Sequence, residues 1–100
     1  MRTIPDDIVE FAKKLSNTGF STREKARYLL VACVSEHGKL LSVGNLIFLL
    51  SDARSSPSAT TVASELAAFN ILLAKKLKKT KFIYSIEKNA LRLFKNQETD

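Results

Sequence analysis

The sequence predicts a mainly α-helical fold closed by a C-terminal β-hairpin. Three observations carry that reading. Apolar residues recur at helical spacing in successive stretches between Ile8 and Leu77. Helix starts are marked by Pro5, by Ser21, by Ser42 and by Ser56 or Ser58. Residues 81–95 then alternate in character on both sides of a short polar turn. One hundred residues make a single domain with one core. With 45% hydrophobic residues, three glycines and two prolines, the chain is expected to fold along most of its length.

The first helix opens at Pro5, whose φ suits a first helical position, with Asp6 and Asp7 in the positive first turn. Ile8, Phe11, Ala12 and Leu15 fall on one face, and Asn17, Thr18 and Gly19 end it. Ser21 and Glu24 form a capping box for the second helix, which runs to about His37 and Gly38. From Tyr28 to Val34 every residue is apolar or small, so this helix is hydrophobic nearly all round and should cross the middle of the domain. Lys39, Leu40 and Leu41 read as a short extended strand. Ser42 then caps a third helix reaching to about residue 51, with Leu46, Ile47 and Leu50 as its buried stripe.

Residues 54–69, RSSPSATTVASELAAF, are the stretch around which a function can be argued. Ser56 or Ser58 can accept from the free N–H groups of a first turn, and Pro57 is suited to that turn, so a fourth helix should begin near residue 57. Val62, Leu66, Phe69, Leu73 and Leu77 form a core-facing stripe. The opposite side carries Thr60, Ser64, Ala67, Ala68, Ile71, Lys75 and Lys78, with Glu65 at its edge. Hydroxyls can bond base edges or phosphates in a major groove, and methyls can touch thymine methyl groups. The plain alternative is an ordinary solvated helix face. Two helices joined by a short polar turn, Asp52 to Ser56, also have the outline of a helix-turn-helix.

In residues 81–95, KFIYSIEKNALRLFK, pairing Ile86 with Leu91 sets Tyr84 opposite Leu93 and Ser85 opposite Arg92, which predicts a hairpin turning at Lys88 and Asn89. Helix, short strand, helix, helix and hairpin is the order of a winged helix-turn-helix domain. Here it would be preceded by an extra helix over 1–20, with a helical core over 21–80, a wing over 81–95 and a disordered tail over 96–100. Within it, the segment 26–69 resembles the N-terminal DNA-binding region of the KfrA-type plasmid proteins. The likeness lies in an apolar helix ending near a glycine, a second short helix, a serine-rich turn, and then Ser58, Thr61, Val62, Leu66 and the aromatic Phe69. It implies a DNA-binding dimer that represses transcription or serves plasmid maintenance, with Ser58, Thr60 and Thr61 near the DNA.

Charge points the same way. From Lys75 onward eight cations face three acids, Glu87, Glu98 and Asp100, which accounts for five of the six excess positive charges. Such a block beside a recognition helix suits phosphate contact, although a basic run is more often simply a solvated surface. The residues expected at double-stranded DNA are Arg54, Ser56, Ser58, Thr60, Thr61, Ser64 and Lys75 on the turn and fourth helix, and Lys88, Asn89 and Arg92 on the wing. This expectation stands on the hydroxyl-bearing end of the fourth helix and the basic ribbon looking out from one side; a helix over 81–95 would remove the case for a nucleic-acid reader. Reading a pseudo-palindrome would call for a homodimer, formed through Ile71 and Leu72 or through the first helix. The rival is a protein–protein adaptor using Ala67, Ala68, Ile71 and Leu72, and RNA binding is disfavoured because Phe82 and Tyr84 are expected to face inward.

Other chemistry finds little support. His37 is the sole histidine, expected to interact with free carbonyls at a helix end, and Asp6, Asp7 and Glu10 are explained by the helix dipole. One cysteine and one histidine make no zinc site, and Gly19, Gly38 and Gly44 form no phosphate loop. No enzymatic activity, cofactor, metal or small-molecule substrate is expected. Cys33 cannot form an internal disulfide and reads as a small core residue of a cytoplasmic, nucleoid-associated protein. The acidic N-terminus is unlike a secretory signal, and no apolar run reaches the ~18 residues a membrane span needs.

Overall fold

The computed structural model describes residues 3–51, 57–74 and 81–96, with side chains described for 3–51, 57–71 and 88–95. Five helices follow one another: α1 (Asp6–Ser16), α2 (Thr22–His37), α3 (Val43–Leu50), α4 (Ala59–Ala74) and α5 (Lys81–Asn96). Helix α2 touches all four others. Its residues Ala26, Leu29, Leu30 and Ala32 are wholly enclosed, as expected of a helix apolar on most sides.

The helix starts follow from their caps. Ser21 Oγ accepts the Glu24 N–H at 3.2 Å while Glu24 Oε1 accepts the Ser21 N–H at 3.1 Å. The same reciprocal pair recurs at α3, where Ser42 Oγ accepts from Asn45 N at 3.0 Å and Asn45 Oδ1 accepts from Ser42 N at 3.2 Å. Gly38 closes α2 with φ 63°, a left-handed conformation that a Cβ would penalise, and its N–H donates to Val34 O at 3.0 Å. At α1, Pro5 stands one position outside the helix and supplies only its carbonyl, which accepts from Ile8 N and Val9 N.

The expected winged helix-turn-helix, with its short strand and C-terminal hairpin, is overturned by an all-helical arrangement. Among the described residues there is no strand, and 81–96 is the continuous helix α5. Ala90 and Phe94, four residues apart, are both buried, and Leu93 packs beside them against the core. Phe94 meets Phe11 of α1 edge-on, with ring centroids 5.4 Å apart and planes at 86°. Lys14 Nζ donates to Leu93 O at 3.3 Å. A helix buries this one face against α1 and α2 and satisfies its backbone internally, whereas a hairpin here would have no second sheet to pair with.

Smaller corrections accompany it. Residues 39–42 form no strand: they are an irregular link in which Leu41 enters the core and Leu40 is exposed. Helix α4 begins two residues after Pro57, with Ser58 as the capping residue: its Oγ accepts from Thr61 N at 3.4 Å and its carbonyl from Val62 N at 3.1 Å. His37 does not turn to helix-end carbonyls; its Nε2 lies 2.8 and 3.0 Å from the two carboxylate oxygens of Asp7 on α1. Cys33 is buried as expected, and desolvation, followed by the nearby Asp7 charge, pushes its thiol up from the usual range. No helix among the described residues is long and apolar enough to cross a membrane.

Candidate nucleic-acid interface

Helix α4 carries one charged residue, Glu65, and the fold turns it inward. The side chain is 3% exposed and is held by two arginines from α2. Arg27 grips it side-on, donating from Nε to Oε2 at 2.7 Å and from Nη2 to Oε1 at 3.3 Å, and Arg23 Nη1 donates to Oε1 at 2.9 Å. Burial alone would raise the carboxyl, but the hydrogen bonds and charges of Arg27 and Arg23 outweigh it and hold Glu65 below the usual carboxylate range. The expectation of an acid at the edge of the outward face is therefore corrected: two arginines make an inward carboxylate affordable.

Val62 and Phe69 are buried on the same side as Glu65, with Leu66 half-buried between them. What remains outside on α4 is uncharged. Among the described side chains, Ser58, Thr60 and Ser64 are exposed, Thr61 is half-buried, and Ala59, Ala63, Ala67, Ala68, Asn70 and Ile71 are exposed as well. Capping by Ser58 takes one of the free N–H groups at this end, and the positive end of the helix dipole lies there. Helix α3 packs against α4 as the other arm of the helix-turn-helix outline.

The comparisons add no relative: no family model, curated protein or solved structure matches the chain. The resemblance to the KfrA-type region rests on its residues alone. Of those, Ser58 and Thr61 meet each other at the start of α4, while Val62 and Phe69 serve the core.

The remaining candidate residues divide. Arg54, Ser56 and Lys75 lie outside the described residues. Lys88 and Arg92 are exposed on α5, four positions apart and hence on one helical face. Asn89 points differently: half-buried, it stands near the Tyr28 hydroxyl of α2 and accepts from Arg92 Nη2 at 3.3 Å. Desolvation and the Glu24 charge raise the Tyr28 hydroxyl above its ordinary range despite the lowering pull of Asn89 and Arg92. Arg23 and Arg27 are the functional-site residues missed in the sequence. Their signal was two arginines one helical turn apart facing a lone acid in a distant helix, a pairing that only the fold reveals.

Proposed function

We propose that the chain binds double-stranded DNA through the α3–α4 unit, with the first turns of α4 entering the major groove. The observation that carries this reading is the inward Glu65. Withdrawing the one acid of α4 into a clamp of two arginines leaves an outward face of hydroxyls and methyls with nothing on it to repel phosphate. The clamp itself has one positive charge in excess, and Arg23 keeps 57% of its side chain exposed beside α4, within the reach of a flanking backbone. Thr60 and Ser64 are the residues assigned to base edges. The helix over 81–96 removes the case that was built on a basic ribbon beside α4, so the reading proposed here stands anew on this face and on the net charge of +6 alone.

Selection of bound duplexes from a random pool at two salt concentrations tests it. The expected result is an enriched sequence whose affinity falls as salt rises. Thr60→Ala with Ser64→Ala should cut the preference for that sequence over a scrambled duplex by about tenfold, within the range of one lost base contact. Selection without enrichment, or enrichment indifferent to both substitutions, contradicts the assignment.

A second reading has its own observation. Ile71 is 55% exposed at the far half of α4, next to the exposed Ala67 and Ala68, and a helix face of this kind also suits a protein partner. An adaptor of that kind would bind with little dependence on salt.

A further inference from the structure

We propose that the groove between α1 and α3 is a homodimer interface, along which α1 of a second copy lies antiparallel to α1. Phe48 of α3 is 56% exposed, more than any other large apolar side chain among the described residues. It does not stand alone. With Leu49 and Ser51 it forms one wall of a groove of about 220 Å³ whose other wall is Val9, Ala12 and Ser16 of α1. An aromatic ring standing open in a groove is the kind of anchor that protein interfaces bury at their centre.

The charges along the groove identify the occupant. Lys13 also lines it, and Asp6 and Val9 precede Lys13 by seven and four residues, so the three share one edge of α1. Asp6 and Glu10 are exposed in the first half of that helix and Lys13 in the second. A two-fold axis between Val9 and Glu10 brings each Asp6 against Lys13 of the second copy, twice over, while Phe48 covers the apolar stretch between them. A parallel partner would set like charges face to face. The Glu10–Lys13 pair at 3.4 Å is highly exposed on both sides and is free to rearrange. This surface is remote in purpose from the outward face of α4 and requires no DNA, so its test is separate from that of the proposed function.

Sedimentation equilibrium of the full chain should give twice the 11.1 kDa chain mass. Phe48→Ser should raise the dissociation constant about tenfold or more. Asp6→Lys and Lys13→Asp, each creating two like-charged encounters, should each sediment as monomers, and a mixture of the two should restore a dimer containing one of each. Melting curves by circular dichroism show that each variant is folded, and the mixing result holds even if Phe48→Ser loses structure. A monomeric wild-type chain, a dimer untouched by these variants but lost with Ile71→Ser, or charge variants that fail to reassemble would overturn the proposal.

Discussion

Arg27 and Tyr28 are successive residues of α2, and they meet their neighbours by opposite chemistry. Arg27, with Arg23, reaches the buried carboxylate of α4 through directed, charge-assisted hydrogen bonds. Tyr28 is buried edge-on to Phe20 at 5.0 Å with its hydroxyl near Asn89 of α5, and α5 itself is held chiefly by apolar burial, where Phe94 meets Phe11 and Ala90 is fully enclosed. Apolar burial is not directional and tolerates small rotations of a helix. A bidentate guanidinium contact is directional: it fixes how α4 is turned about its axis, and so decides which residues of α4 look outward. The α5 flank thus contributes cohesion, and the α4 flank contributes orientation.

The comparison can be broken first on the apolar side. Phe94→Ala removes a ring from a site where its partner Phe11 cannot fully close the gap, and should cost about 3–5 kcal/mol in urea unfolding. On the polar side, Arg23→Met combined with Arg27→Met strands a buried carboxylate and should cost about 3 kcal/mol at neutral pH. The reverse deletion is milder. Glu65→Gln takes the carboxylate charge from two guanidinium groups that already reach water, and should cost about 1 kcal/mol.

Acid should narrow the deficit of both polar variants. Glu65 titrates below its unfolded-state value, so its contribution is present above that value and is lost as pH falls through the folded one. The stability gap between wild type and Glu65→Gln should therefore narrow on acidification below the usual carboxylate range. The double arginine variant should behave in the same direction for a different reason, since its stranded carboxylate becomes protonated and its deficit shrinks. A gap that stays constant through the acid range would show that the clamp carries no linked proton.

Much of the helical order was legible because it is written locally. The capping box at Ser21 and Glu24, the glycine at 38 and the three- and four-residue spacing of Ile8, Phe11, Ala12 and Leu15 each act within one or two turns. The stretch 81–95 was misread because it satisfies two periods at once. Tyr84 and Ile86 fit an alternation, whereas Phe82, Ile86, Ala90 and Phe94 repeat every fourth residue through the whole length. The missing glycine at Lys88 and Asn89 weighs against a tight hairpin turn, and the longer period places Ala90 and Phe94 together in the core. Glu65 could not be placed from its own helix, because what draws it inward lies 38 and 42 residues away. The outward positions of Thr60 and Ser64 were readable from the stripe of Val62 and Phe69; the neutrality of the surface around them was not.

The central claim is that α4 presents an uncharged outward face to DNA because its acid is held inside. Ser64→Glu puts a carboxylate back on that exposed face, one residue from the one that the arginines withdraw, without touching the clamp or the core. Fluorescence anisotropy with a selected duplex should show affinity reduced by at least about tenfold, with the melting temperature unchanged. An unchanged affinity in the folded variant would mean that DNA, if bound at all, does not meet this face of α4.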